Sequence, residues 1–84
     1  MKMTFDISYS REAAKELADL DRAVQIQILK KIIQLQKQPE MGKPLSNVLK
    51  SKRSLHIGKY RVVYIIDKQE IIIARIGHRK DVYE

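Results

Sequence analysis

The sequence predicts an α+β fold, an antiparallel sheet with a two-helix hairpin packed on one side, in the order β-α-α-β-β-β. Three observations carry this. An early stretch alternates apolar and polar residues, a middle stretch repeats apolar residues at helical spacing, and the last third holds two solidly apolar runs joined by a short polar turn. A helical hairpin with an apolar side needs a sheet to cover, and strands linked by short turns supply one.

The first strand is MTFDISYS, with Met3, Phe5, Ile7 and Tyr9 on one face and Thr4, Asp6 and Ser8 on the other. Ser10 then stands where its hydroxyl can accept from the first-turn amides of a helix. That helix is REAAKELADL, with Ala13, Ala14, Leu17 and Leu20 at helical spacing. Asp19 or Asp21 is expected to cap a longer helix, from about Arg22 to Gln38, where Val24, Ile28, Leu29, Ile32, Ile33 and Leu35 form a stripe of period near 3.6. Pro39 is its expected stop. PEMGKPLSNVLKSKRS, holding both prolines, reads as a loop. LHI, a Gly58-Lys59 turn and YRVVYII follow, then the polar turn DKQE and the run IIIARI. The last two runs are too apolar for one-sided strands and are expected to be central and buried on both faces.

With 84 residues, the chain reads as one domain spanning 1–84, close to the lower size at which a single core suffices. It contains no cysteine, which excludes disulfides and thiolate metal sites and suits a reducing compartment. The N-terminal stretch lacks a signal peptide's apolar segment, and no run reaches the roughly 18 apolar residues of a membrane span. A soluble cytoplasmic protein with no membrane partner is expected. The net charge of +7 is segregated. Residues 1–40 carry seven basic and six acidic side chains, net +1; residues 41–84 carry ten and four, net +6. A basic half of this kind reads as a surface for a polyanion, with a merely solubilising surface as the plain alternative.

The residues with the most chemistry lie in that half. Arg61 sits inside the apolar run YRVVYII, and a guanidinium there needs an anion, either a substrate phosphate or a structural carboxylate such as Asp67, Glu70 or Asp81. Arg75, inside IIIARI, faces the same choice, with the structural reading favoured. The closing stretch GHRKDVYE supplies His78, Arg79, Lys80 and Tyr83. A phenol beside guanidinium groups, or an imidazole with its pKa near 6.5, is a candidate acid or base. His56 precedes the turn into Arg61, Lys59 lies in that turn, and Lys50, Lys52 and Arg53 crowd the approach. HExxH, CxxC, GxSxG and glycine-rich phosphate loops are all absent, as are clustered carboxylates in the basic half. No cofactor or metal is expected, and phosphoryl chemistry would rely on Arg and Lys to neutralise charge.

The element order, LHIGKYRVVY and IGHRKDVYE together resemble the RelE/ParE superfamily of toxin–antitoxin toxins, and within it the RelE-like mRNA endonucleases. The likeness spans essentially the whole chain: a basic strand turning through Gly into Tyr-Arg-hydrophobic-hydrophobic-Tyr, and a His-Arg-x-x-Val-Tyr ending. It implies the RelE-like microbial RNase fold and a ribosome-dependent mRNA interferase that inhibits translation and arrests growth. Its chemistry would be attack of a ribose 2′-OH on the adjacent phosphate, leaving a 2′,3′-cyclic phosphate. Carried over by motif position, Arg61 and Arg79 would bind the scissile phosphate, and Tyr83 would be a general acid or base or stack on a base. Because Ser54 stands where the family pattern has a second lysine, either His56 or His78 would serve as base, or Lys50, Lys52 or Arg53 would reach in. Lys50, Lys52, Arg53, Lys59 and Lys80 would meet RNA or the ribosome. The implied partners are a small acidic antitoxin with a DNA-binding domain, the 70S ribosome with its mRNA, and operator DNA only through the antitoxin complex. A ParE-like inhibitor of DNA gyrase without nuclease activity is the alternative, and a basic co-repressor module a third possibility.

Overall fold

The computed structural model describes residues 4–45 and 51–80. Its elements are β1 (Asp6–Tyr9), α1 (Arg11–Ala18), α2 (Arg22–Gln34), β2 (Lys43–Pro44), β3 (Ser51–Ile57), β4 (Tyr60–Asp67) and β5 (Glu70–His78). They form one five-stranded sheet in the order β1-β5-β4-β3-β2.

The helix starts follow local chemistry. Ser10 Oγ accepts the Ala13 amide at 2.9 Å and so satisfies a first-turn donor of α1. Asp21 occupies the corresponding position of α2, but its side chain makes no capping bond. The hairpin is tied instead by Gln25, whose Nε2 donates to the carbonyls of Leu17 and Ala18 at the end of α1. The second helix ends at Gln34, before the expected stop at Gln38, and its exit turn bonds to Phe5: the Phe5 amide donates to the Gln36 carbonyl, and Gln36 Nε2 to the Phe5 carbonyl. Helical-type turns carry on from Gln34 to Gln38, whose amide still donates to the Gln34 carbonyl, and Pro39 follows directly.

One sheet face carries the core. Ala13 of α1 and Ile28 and Ile32 of α2, with Leu35 just beyond it, pack on Leu55, Ile57, Val62, Tyr64, Ile71, Ile73 and Ile76. Ile33 departs from the expected stripe and is 60% exposed. Ile28, Ile32 and Leu35 line one side of the helix at spacings of four and three, and Ile33 is turned about 100° from Ile32. Tyr9, assigned to the inner face of the first strand, is also exposed, while Phe5 and Ile7 pack against the core.

The sheet is mixed, where antiparallel pairing was expected throughout. β3, β4 and β5 form an antiparallel meander, whereas β1 runs parallel to β5, with Asp6 opposite Glu70 and Tyr9 opposite Ile73. Alternation identifies a strand and its faces but not its direction; that is set when the helical hairpin returns the chain to the far side of the sheet. The stretch expected to be a loop also contributes strands. Lys43 pairs with Ser54 and Pro44 with Arg53, and β3 begins at Ser51 instead of Leu55. Its basic residues pair with the apolar Tyr64–Ile66 stretch of β4, so the backbone ladder overrides a loop-like composition. Burial on both faces is confined to the middle of β4, at Val62, Val63 and Tyr64; in β5 the fully buried Ile71, Ile73 and Ile76 are interspersed with half-exposed residues.

Candidate functional site

The candidate site is built by the turn between β3 and β4 and by the exit of β5. Ile57 pairs with Tyr60, leaving Gly58 and Lys59 as the loop. Gly58 has a φ of +60°, a conformation that favours glycine and fits a tight hairpin turn. Arg61 follows immediately, between His56 on β3 and Gly77 on β5. β5 then ends at His78, opposite Tyr60, and the Arg79 amide donates to the Lys59 carbonyl at 2.9 Å. That bond fixes the chain beyond the strand against the hairpin loop.

Lys59, Arg61, His78, Arg79 and Lys80 thereby line one cleft of ≈ 420 Å³. Four of these five side chains are formal cations and the fifth is an imidazole; among the described residues, no carboxylate shares the lining. Arg61 is half-buried, whereas Lys59, Arg79 and Lys80 are exposed. The two carboxylates on the described part of the meander, Asp67 and Glu70, lie at its opposite end. Six positions along the strand separate Arg61 from Asp67, about 20 Å at strand rise, beyond the reach of either side chain. The Tyr60 and His78 rings meet edge to face, with centroids 5.8 Å apart and planes at 69°. The Lys80 amide donates to His78 Nδ1 at 3.2 Å, leaving Nε2 for any other partner. Together the groups can hold a dianion by charge and by the planar donors of two guanidiniums.

Of the other residues singled out in the sequence, His56 is exposed and adjoins Arg61 across the strands, but does not line the cleft. Lys52 lies opposite Ile65, farther along β3. Arg53 donates from Nη1 to the carbonyls of Gly42 at 2.6 Å and Glu40 at 3.2 Å, fastening the β2 approach. Ser54 is buried opposite Val63. Tyr83 and Lys50 lie outside the described residues. Among the described residues, no three His, Cys, Asp or Glu side chains converge to suit a metal ion.

Two supports of the fold, one on β5 before the cleft and one at the turn into β2, were not legible in the sequence. Arg75 is held by Glu16 of α1, with bonds of 3.0 and 2.8 Å to one carboxylate oxygen, while the other accepts the Ile76 amide at 2.8 Å. This is the structural role favoured for Arg75. Burial alone would raise the Glu16 carboxyl pKa, but the bonds from Arg75 and Ile76 and the Arg75 charge outweigh it and hold the group below its ordinary value. The second support is Tyr64, fully buried, with its hydroxyl bonded to Pro39 and Gly42. Burial leads in raising its pKa, so the phenol stays protonated at neutral pH.

Residues 7–83 match the family model described as ParE toxin of type II toxin–antitoxin system, parDE. Among solved structures, the toxin–antitoxin complex RelBE2 of Mycobacterium tuberculosis matches with a TM-score of 0.80 and 26% identity, covering 90% of this chain and 99% of that one. The isolated RelE toxin of E. coli matches at 0.72 and 25%, covering 88% and 83%. The chromosomal ParDE system of P. aeruginosa matches at 0.67, covering 92% and 98%; its 16% identity speaks for the fold alone. Among curated proteins, none matches significantly. Fold and sequence together make this a type II toxin–antitoxin toxin of the RelE/ParE superfamily. Within that class, the chain belongs to the ParE toxin family.

Proposed function

We propose that the chain is a single RelE-like toxin domain over residues 1–84 that cleaves mRNA on the ribosome, stopping translation. The observation that supports this reading is the convergence of Lys59, Arg61, His78, Arg79 and Lys80 on one cleft, four cations and an imidazole that suit a phosphodiester backbone. In the proposed reaction the ribose 2′-oxygen forms a bond to the adjacent phosphorus and the bond from phosphorus to the 5′-oxygen breaks. The products are a 2′,3′-cyclic phosphate and a 5′-hydroxyl. One proton leaves the 2′-OH and one reaches the 5′-oxygen. Arg61 and Arg79 hold the phosphoryl oxygens and stabilise the charge they gain, a role worth on the order of 10²–10³-fold per donor. His56, His78 and Tyr83 are the proposed proton carriers, at roughly 10²–10⁴-fold for a positioned acid or base. Lys59 and Lys80, with Lys52 and Arg53 along β3 and Lys50 before them in the sequence, meet flanking phosphates. The reaction needs no metal on this reading.

An acidic antitoxin is the proposed restraint, supported by the RelE structures solved with RelB and by this chain's charge of +7. Operator DNA would be reached only through that complex. A second reading, inhibition of DNA gyrase without nuclease activity, is favoured by the ParE description of the matching family.

Primer extension on mRNA from cells expressing the toxin separates the two. Discrete new 5′ ends within reading frames, lost in Arg61→Ala, are expected for the nuclease. Intact transcripts with blocked supercoiling and DNA damage would give the assignment to gyrase.

A further inference from the structure

The parallel pairing of β1 with β5 covers only Glu70–Ile73. β5 continues through Ala74 to His78, and this second half carries the residues that face the cleft. It is also offset from the first half, because the register between β4 and β5 shifts at Val63/Tyr64 and leaves Ala74 as the extra residue. The chain leaving β1 completes the edge with helix side chains in place of a strand. The Ser10 amide donates to the Ile73 carbonyl at 2.9 Å and Ser10 Oγ to the Ala74 carbonyl at 2.8 Å. One turn and a half further on, Glu16 accepts the Ile76 amide and clasps Arg75. Ile76 is opposite Val62 and two residues before His78, so the clasp grips the strand next to the Arg61–Gly77 pair.

We propose that Glu16 is a positioning residue for the cleft: by clasping Arg75 and Ile76 it holds the exit of β5 so that His78, Arg79 and Lys80 face Arg61 across a phosphate chain. The inference rests on the phosphate-site reading above. The division between fold and site follows from magnitudes. A half-exposed ion pair contributes little to stability, and the loss of one amide's partner at the end of a strand leaves the core packed. A displacement of about 1 Å among groups that grip a transition state costs on the order of 10²-fold. Losing the clasp should therefore loosen the exit of β5 and weaken binding at the cleft while the core stays packed.

Charge makes the test sharp. Glu16→Ala removes an acidic group, so charge alone predicts tighter RNA binding; a positioning role predicts weaker binding. The experiment uses the full chain and a short single-stranded RNA with 2′-O-methyl groups, which cannot be cleaved, and reads its Kd together with amide hydrogen exchange. Glu16→Ala should bind about 5–10-fold more weakly, within the usual range of coupling between sites. Exchange at Ile76–Lys80 should quicken about 10-fold or more while Val62, Ile71 and Ile73 keep their protection. Glu16→Gln, whose amide oxygen still accepts from Ile76, should recover part of both losses. Glu12→Ala removes an equal charge from the same helix and should bind as tightly as the parent or more so. Unchanged or tighter binding by Glu16→Ala, unchanged exchange at Ile76–Lys80, or equal loosening of the core would overturn the proposal. If the parent chain binds no free RNA, the exchange pattern alone decides the clasp, and the nuclease reading is decided by primer extension.

Discussion

The hydroxyl of Tyr64 accepts the Gly42 amide at 2.9 Å and donates to the Pro39 carbonyl at 2.7 Å. One phenol on the central strand thus fixes both ends of the turn that brings the chain from α2 to β2. Arg53 closes the same turn by donating to the carbonyls of Glu40 and Gly42. The approach is so close that a Cβ at Gly42 would lie 2.8 Å from the hydroxyl and 2.9 Å from the Ser54 carbonyl oxygen.

Gly42→Ala should accordingly destabilise the protein by about 1–3 kcal/mol, the usual cost of overfilling a packed site. Tyr64→Phe keeps the ring but strands the Gly42 amide, at about 1–3 kcal/mol. Urea denaturation measures both, and a Gly42→Ala midpoint equal to the parent's would show that the turn yields freely.

Lys68 is the one described residue other than glycine with a positive φ, 57°, in the turn between β4 and β5. Its side chain is exposed, so nothing in the packing favours lysine there. Lys68→Gly should leave stability unchanged or raise it by up to about 1 kcal/mol, relief of backbone strain being offset by the entropy of a freer unfolded chain. A loss above about 1 kcal/mol in thermal or urea unfolding would contradict this.

The salt dependence of RNA binding reports how many phosphates the cleft engages. For single strands the slope of log K against log salt is about −0.7 per phosphate neutralised. Arg61→Ala and Arg79→Ala should each flatten the slope by roughly 0.7 and cut cleavage on the order of 10²–10³-fold, with circular dichroism unchanged. Identical slopes in parent and variants would remove both arginines from the contact.

The Glu16 carboxyl sits below its ordinary value of 4.5, so the unfolded chain takes up its proton first as pH falls. Its stabilising effect is fully present above the unfolded value and disappears as pH drops through the lower, folded value. The stability difference between the parent and Glu16→Gln should be flat from neutral pH to roughly 5.5 and shrink at lower pH. A difference that grows on acidification would mean that the carboxylate is not held by Arg75 and Ile76.

Element types were well marked in the sequence because each rests on local chemistry. Ser10 announces its helix through a side chain that caps its own first turn, and the run IIIARI is apolar enough that only an inner strand could hold it. The residues of the cleft were legible for a related reason: Arg61, His78, Arg79 and Lys80 sit at fixed offsets from the ends of two apolar strands. What could not be read depends on contacts across the chain. The direction of the first strand is decided by its pairing with residues more than sixty positions away. Glu16, on an unremarkable helical face, becomes a strand partner only when α1 lies along β5. The second tyrosine of YRVVY belongs to a motif read for its chemistry, yet its hydroxyl serves the turn at Pro39 and Gly42.

The parallel pairing of the first and last strands also sets a clock on synthesis. Asp6 waits for Glu70, 64 positions later, before the sheet can close. At roughly 5–20 residues per second that interval is about 3–13 s, and closing so long a loop is among the slower steps in folding. Throughout it the helices can form, but His78 and Arg79 have not been made, so the nascent chain has no cleft. A partner that restrains this toxin need not engage until the last strand emerges.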